Sequence, residues 1–378
     1  MFSILNAMSI VSYHSQITLM RSLGLFLTTI LFACSSTDDA QSQEAEIYFP
    51  STVGTWETVT PQELGWEMSS LDEFYTFLED NNTRAFVVLH RGRIVAERYW
   101  GDDFFGDAFD ETSTWYWASA SKALTASMIG MAQEKGLLSI SNPTSNYLGM
   151  GWTSMDASLE QQITVRDQLT MTTGLEYENV NLNCTDPSCL TYRNNPGITW
   201  YYHNAPYSLL RDVIANASGQ DINTYTDMNV MVPIGASSGM WRTGMIATTY
   251  WSNARDLARF GLLHLAQGNW DGEQLVPQEY LQDMVSPSQN LNPSYGYLWW
   301  LNGQASVVYP GVALSIQGSL SPSAPADLFA GLGKDGQIVD VIPSRELVVV
   351  RMGDAPGGDL VGSQFHEAMW QRLAPIIN

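Results

Sequence analysis

Short runs rich in β-branched and aromatic residues, typical of β-strands, occur near both ends of the chain. Two N-terminal runs, 85–89 and 94–100, are separated by His90-Arg91-Gly92-Arg93, a sequence that indicates a hairpin turn. Because strands occur at both ends, we expect the two ends to share one antiparallel sheet. The C-terminal runs, separated by Gly or Pro turns, are 328–332, 337–342 and 346–351.

The middle of the chain has the three- and four-residue apolar spacing of helices. One helix is predicted to start near Ser119 and to end near Gly136, and a second is predicted to end at Gly219. A last helix is expected over about 360–373. A mostly helical region, roughly 137–300, is thus inserted between the strands. This order predicts an α+β fold, an antiparallel sheet flanked by helices, rather than alternating βαβ units.

The first 33 residues have the pattern of a secretory signal. Arg21 precedes a short apolar run that ends in Leu31-Phe32-Ala33-Cys34, which resembles a bacterial lipobox. We therefore predict that residues 1–33 are removed and that Cys34 is acylated. The protein would be an exported lipoprotein of the bacterial cell envelope, facing the periplasm from the outer membrane. The alternative is an ordinary signal peptide or an uncleaved anchor, with Cys34 incidental.

Behind the signal, polar residues without an apolar period predict a flexible tether over 34–49. The folded domain is expected over 50–378. The aromatic content, with 13 Trp and 17 Tyr, excludes a disordered chain. The two remaining cysteines, Cys184 and Cys189, are expected to form a disulfide in an oxidising compartment rather than a metal site.

The net charge of the chain limits the kinds of partner that it can bind. Seventeen basic side chains against 39 acidic ones give a formal charge of −22, which would repel nucleic-acid phosphates and an anionic membrane surface. We expect no nucleic-acid partner, and membrane association only through a lipid anchor at Cys34. No metal or cofactor is implied by the sequence.

Ser119 and Lys122 open the first predicted helix. Residues three apart share a helix face, so the Lys122 amine can reach the Ser119 hydroxyl. Burial and the positive end of the helix both disfavour an ammonium ion and lower the pKa of such a lysine. The pair is therefore predicted to be a nucleophile and its base, although a Ser-x-x-Lys motif alone is weak evidence.

A phenol or second base is expected nearby, and three Tyr-x-Asn triplets are candidates. They begin at Tyr177, Tyr192 and Tyr202. We prefer Tyr202-His203-Asn204 because it directly precedes the second predicted helix, whereas the other two lie in an Asn- and Cys-rich loop. Tyr202 and Asn204 are thus added to the predicted site.

Taken together, several sequence blocks resemble the class C β-lactamase-related serine hydrolases. That family includes β-lactamases, D,D-peptidases, carboxylesterases and 6-aminohexanoate-dimer hydrolases. The resemblance covers the chain from about Pro50 and leans toward the esterase and aminohexanoate-hydrolase branch. The blocks are SASK at 119–122, ITVRDQLTMTTGL at 163–175, YHN at 202–204, SNARDLARFG at 252–261, YGYLWW at 295–300, GQ at 336–337 and VIP at 341–343.

The resemblance implies a β-lactamase/D,D-peptidase-like fold and hydrolysis through an acyl-enzyme. Ser119 would be the nucleophile, Lys122 and Tyr202 a coupled base, and Asn204 a contact to the substrate amide or to the lysine. The Ser119 backbone N–H would donate to the oxyanion together with an N–H from a neighbouring strand.

The third motif departs from the family pattern, which has Lys-Thr-Gly or His-x-Gly. The sequence has Phe329-Ala330-Gly331-Leu332-Gly333 there, without a basic side chain. Gly331 and Gly333 are expected to contact substrate. Lys334, directly afterwards in Lys334-Asp335-Gly336, is interpreted as a solvated turn residue, with a substrate ligand as the alternative. The missing base argues against a β-lactamase.

Other candidate side chains are assigned structural roles. Ser237 lies in a Gly-x-Ser-x-Gly sequence, but the neighbouring residues do not predict the strand and helix that a nucleophile elbow requires. His264 is expected in the core or an interface, whereas His203 is expected to line the site beside Tyr202. His90 and His366 are predicted to lie on the surface.

The sequence therefore predicts an exported serine hydrolase that acts on a small-molecule ester or amide. One alternative is a β-lactamase or D,D-peptidase of the same fold. Another is a non-catalytic, envelope-binding lipoprotein that has kept the fold and lost turnover.

Overall fold

The computed structural model describes residues 46–237, 239–244, 247–357 and 362–377. The predicted signal segment, Cys34 and most of the predicted tether lie outside the described residues. The last tether residues, 47–49, pack against the core, and the Tyr48 amide donates to the Arg91 carbonyl at 2.9 Å. No helix in the described ranges is both long enough and apolar enough to cross a membrane.

A six-stranded antiparallel sheet joins the two ends of the folded chain, in the order β2-β1-β13-β12-β11-β8. Its central strands are buried on both faces, which explains their continuous Val- and Ile-rich sequences. The strands are β1 (Thr83–His90), β2 (Arg93–Tyr99), β3 (Trp115–Tyr116), β4 (Met240–Thr243), β5 (Thr248–Ser252), β6 (Asn269–Trp270), β7 (Glu273–Gln274), β8 (Trp300–Leu301), β9 (Ser306–Val307), β10 (Ile316–Gln317), β11 (Phe329–Gly333), β12 (Gln337–Ile342) and β13 (Leu347–Gly353).

The turn between β1 and β2 has the geometry that the sequence predicts for a hairpin. Arg91 and Gly92 have φ values of 48° and 83°, and a tight two-residue hairpin turn needs a positive φ at both positions. A Cβ on Gly92 would lie 1.8 Å from the Tyr48 carbonyl oxygen. Only glycine fits at this position.

Helices cover the sheet and fill the inserted region. Gly261 packs against Val339 and Val348, so the α8 backbone lies close to one face of the sheet. Asp340, next to Val339, points to the opposite face and binds residues of α10. The helices are α1 (Leu71–Asp80), α2 (Ser121–Glu134), α3 (Ser145–Leu148), α4 (Ala157–Glu160), α5 (Val165–Leu169), α6 (Asn204–Ser218), α7 (Ile222–Thr226), α8 (Ala254–Leu265), α9 (Gln278–Met284) and α10 (Gly362–Ile377).

The predicted α+β class is confirmed, and the inserted region adds strands that the pattern did not predict. A second sheet, β3-β5-β4, brings residues 115–116 beside the segment from 240 to 252. These strands have two to five residues each, too few for a clear period. The small sheet lies at the start of α2 and therefore bears on the predicted site.

The surface position predicted for His366 is wrong. His366 is 1% exposed and lies on the inner side of α10. Its Nε2 is 2.9 Å from Oδ2 of Asp340, and Trp370 Nε1 donates to the same oxygen at 2.8 Å. A fully buried carboxylate needs such partners, which is why α10 turns a histidine inward.

Candidate active site

Ser119 lies in a single 3₁₀ turn, Ala118–Ala120, that leads into α2. This turn is called the nucleophile turn, after the role predicted for Ser119. Ala118 has a φ of 48°, an unfavourable value for a side chain with a Cβ. Two contacts from β5 hold this turn: the Thr249 hydroxyl donates to the Ala118 carbonyl at 3.0 Å, and the Trp117 amide donates to the Tyr250 carbonyl at 2.8 Å. The small sheet thus fixes the backbone on which Ser119 stands.

Lys122 reaches Ser119 one helical turn away, at 3.0 Å between Nζ and Oγ. Its Nζ also donates to Oδ1 of Asn204 at 2.9 Å. The Lys122 side chain is 3% exposed, and burial holds its pKa well below the ordinary value, with a further decrease from the charge of Arg211. Such a lysine is neutral more readily than a solvated one, so its lone pair becomes accessible to the Ser119 proton.

The Tyr202 ring also lies close to the Lys122 amine. The Lys122 Nζ is 4.6 Å from the centre of the Tyr202 ring, which stacks on Trp300 at 5.8 Å between ring centres. Burial raises the pKa of Tyr202, and a hydrogen bond with Ser119 acts in the opposite direction. Tyr202 is therefore a neutral phenol near the nucleophile at neutral pH.

Asn204 is held by the disulfide loop. Its Nδ2 donates to Oδ1 of Asn183 at 2.9 Å, so the carboxamide bridges the loop and Lys122. Asn183 directly precedes Cys184, which is joined to Cys189 by a disulfide with 6.0 Å between the Cα atoms. The Asn- and Cys-rich loop thereby orients the Asn204 carbonyl oxygen toward the lysine.

Gly331 and Gly333 let β11 pass close to the nucleophile turn. A Cβ on Gly333 would lie 2.5 Å from the Trp117 carbonyl oxygen, and one on Gly331 would lie 3.4 Å from that of Ala120. β8 pairs with β11 only at residues 329 and 330, so the rest of this edge is free of β8. Successive backbone N–H groups alternate in direction, and the N–H of Leu332 points to this open edge.

Two cavities meet at Ser119. One, of about 420 Å³, is called the Trp300 cavity and is lined mainly by apolar groups, among them Tyr202, Trp300, Leu320 and Leu332. The other, of about 520 Å³, is called the Arg242 cavity. Its wall is also mainly apolar, with Tyr116 and Trp251 among its residues, and its polar groups come from Asn183, Asn204, Ser208, Arg242, Thr243 and Asp335. A substrate can therefore extend from the Ser119 hydroxyl in two directions.

Lys334 borders both cavities at their solvent edge. Its side chain is 73% exposed and its Nζ lies 3.9 Å from an Asp335 oxygen. This environment agrees with its interpretation as a turn lysine. No group of three or more His, Cys, Asp or Glu side chains suited to a metal ion occurs in the described part of the chain.

None of the remaining candidates, Ser237, His264 and His203, lines either of the two cavities. Ser237 follows a helical turn and precedes β4, which is not a nucleophile elbow, and its hydroxyl accepts from Asn253 at 3.1 Å. His264 is buried with its ring nitrogens 2.8 Å from Ser127 Oγ and from the Phe260 carbonyl oxygen, and burial lowers its pKa to about 4. His203 is buried beside Tyr202, where burial lowers its pKa to about 4.

Three residues of the site were not predicted from the sequence: Asn183, Tyr207 and Thr249. Tyr207 follows Asn204 by three residues on α6, and its ring centre lies 4.2 Å from the Lys122 Nζ. That helical spacing is a signal from which Tyr207 could have been identified. Asn183 and Thr249 reach the site through a loop and a short strand, and their sequence neighbours carry no comparable signal.

The sequence and the fold are both similar to those of known proteins. A model of the Beta-lactamase family matches residues 80–362. An uncharacterised protein of Alkalihalophilus pseudofirmus is 24% identical over 306 residues, 72% of this chain and 84% of its own length. A provisionally assigned β-lactamase from Bacteroides dorei has a similar structure, with a TM-score of 0.63, 16% identity, and 83% of this chain and 99% of that one covered.

A provisionally assigned 6-aminohexanoate-dimer hydrolase from Bacillus anthracis is also similar, with a TM-score of 0.62, 19% identity, and coverage of 87% of this chain and 89% of that one. At sequence identities this low, the structural similarity is evidence of a shared fold and of nothing more. The family model, however, matches well over half of the chain, and its span includes Ser119, Lys122 and Tyr202. With the sheet and the Ser-Lys pair it assigns this chain to the β-lactamase family, whose members are generally serine hydrolases.

Proposed function

We propose that the protein hydrolyses small-molecule esters or amides through an acyl-enzyme on Ser119. The observation that carries the proposal is the 3.0 Å separation between the Ser119 hydroxyl and a buried amine whose pKa is depressed. A serine hydroxyl is a weak nucleophile unless a nearby base accepts its proton. Lys122 is such a base, already within hydrogen-bond distance.

In the acylation step Ser119 Oγ forms a bond to the substrate carbonyl carbon while its proton passes to the Lys122 amine. The carbonyl electrons move onto oxygen, and their return breaks the bond to the leaving group. Lys122, with the Tyr202 phenol as its coupled partner, returns the proton to the departing oxygen or nitrogen. Water then repeats the sequence on the acyl-enzyme and releases the acid and free Ser119.

Backbone donors stabilise the oxyanion in this proposal. The Ser119 N–H is one donor, and an N–H at the open edge of β11, such as that of Leu332, is the second. Preformed donors of this kind contribute more to the transition state than to the ground state. The close approach of β11, which Gly331 and Gly333 permit, supports this assignment.

Neutral esters are expected to be better substrates than β-lactams. The side chains of β11 beside Ser119 provide no cation for a β-lactam carboxylate, and Lys334 is largely solvated. Losing one charge-assisted contact weakens binding by about 1.5–3 kcal/mol, roughly ten- to hundredfold. Hydrolysis by a β-lactamase or D,D-peptidase mechanism is the second candidate, supported by the family assignment.

A substrate panel tests the proposal: p-nitrophenyl acetate and butyrate, the linear 6-aminohexanoate dimer, a D-Ala-D-Ala peptide and nitrocefin. We expect kcat/KM for p-nitrophenyl butyrate to exceed that for nitrocefin. An equal or higher value for nitrocefin would contradict the ester preference and direct attention to Lys334 and Arg242. Absence of turnover together with absence of covalent labelling would favour a non-catalytic envelope lipoprotein.

We also propose that the protein is exported and anchored through a lipid on Cys34. The support is the lipobox-like sequence at 31–34. Mass spectrometry of the protein from its native membrane is expected to find an acylated N-terminal Cys34. An unmodified Cys34 or an intact leader would contradict lipidation without affecting the proposed chemistry.

A further inference from the structure

Arg211 is a buried guanidinium on the same helix as Asn204 and Tyr207. The three residues are spaced by three and four positions on α6, so they share one helix face. The Arg211 side chain is 8% exposed, and its Nη1 has no hydrogen-bond partner among the described residues. Burying a charge with an unsatisfied donor is costly, so the position calls for an explanation.

Arg211 and Lys122 contact the same aromatic ring. The centre of the Tyr207 ring lies 4.2 Å from the Lys122 Nζ and 5.4 Å from the Arg211 Cζ. Tyr207 is buried, and burial raises its pKa, while the nearby Arg211 charge acts in the opposite direction. The ring therefore fixes the distance between the two basic groups at no more than about 10 Å, within a medium less polarisable than water.

No described carboxylate forms an ion pair with either basic group. The ion pairs of the described residues include neither Lys122 nor Arg211. Asp212, the acidic neighbour of Arg211 on α6, has an exposed side chain; its partial burial raises its pKa and the Arg211 charge acts in the opposite direction, so this carboxylate interacts with Arg211 from the solvent side. The other titratable or charged groups around the two are Ser119 from the nucleophile turn, Tyr202 before α6, Tyr295, Arg242 from β4, and Lys334 and Asp335 from the turn after β11.

We propose that Arg211 is a positioning residue that keeps Lys122 in the neutral form needed to activate Ser119. A guanidinium remains charged at all pH values of interest, whereas an amine can lose its charge. With a fixed positive charge behind Tyr207, an ammonium at Lys122 is disfavoured and a free amine is favoured. The inference rests on the proposed role of Lys122 as the base. It gives a reason for the presence of the buried Arg211 guanidinium beside the Tyr207 ring.

The direction of the pH effect follows from this arrangement. The Arg211 charge contributes, after burial, to the depressed pKa of Lys122. Replacing Arg211 by a neutral residue would raise the pKa of Lys122, so less free amine would exist at neutral pH. At a separation of about 10 Å and an intermediate dielectric, the expected rise is about one pKa unit. The acidic limb of the rate profile should move to higher pH by that amount.

The test compares Arg211→Met with wild type by the rate of Ser119 labelling with a fluorophosphonate between pH 5 and 10. We expect the midpoint of the acidic limb to move up by about one unit in Arg211→Met. Arg372→Met, the same change at an exposed arginine of α10, should leave the midpoint unchanged. Arg211→Gln serves as a second neutral variant if Arg211→Met does not fold, as judged by circular dichroism.

The outcomes separate the inference from the proposed function. Labelling of Ser119 that slows equally at every pH in the Arg211 variants, with an unshifted midpoint, would overturn the role of Arg211 and leave the proposed function intact. Absence of Ser119 labelling in the wild type would overturn both. An upward shift in the neutral variant that folds, Arg211→Met or Arg211→Gln, but not in Arg372→Met, would support the inference.

Discussion

At the scale of single residues, the Lys122 amine is surrounded by groups that hold it and disfavour its charge. Ser119 and Asn204 supply polar partners at 3.0 and 2.9 Å, while the Tyr202 and Tyr207 rings exclude water. Because the pKa of Lys122 is lowered in the folded protein, the free amine is retained down to a lower pH than in a solvated lysine. Activity is then lost as the pH falls through that pKa.

Asn204 provides a residue-scale prediction. Asn204→Ala removes the oxygen that holds Lys122 and frees the Asn183 carboxamide. We expect kcat/KM for p-nitrophenyl butyrate to fall about tenfold, since one hydrogen bond that orients the base is lost. Steady-state kinetics would measure the effect, with Asn216→Ala, an exposed change on the same helix, as the control. Equal activity of Asn204→Ala and wild type would show that Lys122 needs no such support.

Sequence reasoning works best at this scale where a helix links the partners. Ser119 and Lys122 are three residues apart, and the structure places them within hydrogen-bond distance. Asn183 and Asn204 are 21 residues apart, and only the folded disulfide loop brings them together. The long-range half of the site therefore could not be derived from spacing.

At the scale of elements, glycines and buried polar groups determine how helices and strands meet. Gly333 lets β11 approach the nucleophile turn, and Gly261 lets α8 approach β12 and β13. Strand identity was predictable because β1, β12 and β13 are continuous apolar runs. The small β3-β5-β4 sheet was not, because its strands are short and because β3 pairs with β5, which lies far along the chain.

The contact of α10 with β12 gives a prediction at this scale. His366→Ala would leave the fully buried Asp340 carboxylate with fewer donors, and we expect a loss of about 3 kcal/mol in the free energy of unfolding. His90→Ala, at a side chain that is 24% exposed and only loosely paired, should cost less than about 1 kcal/mol. Urea unfolding of both variants measures the difference. Equal stabilities would show that the Asp340–His366 contact contributes little.

At the scale of the whole molecule, the site is assembled from segments that are far apart in the chain. The nucleophile turn, the disulfide loop, α6, β5 and β11 contribute groups from between residues 118 and 333. The chain has a formal net charge of −22, whereas the groups on the Tyr207 ring inside the fold are the basic side chains of Lys122 and Arg211. In the proposed function the chemistry takes place at Ser119 rather than at the Gly-x-Ser-x-Gly sequence.

The most direct test of the account is the site of covalent modification by a fluorophosphonate, measured by intact mass and peptide mapping. We expect one adduct in the wild type, on Ser119, no adduct in Ser119→Ala, and wild-type labelling in Ser237→Ala. Both changes remove one hydroxyl, so a difference between them reports the identity of the nucleophile. Labelling of a folded Ser119→Ala variant, or an adduct that maps to Ser237, would contradict the assignment of Ser119 as the nucleophile.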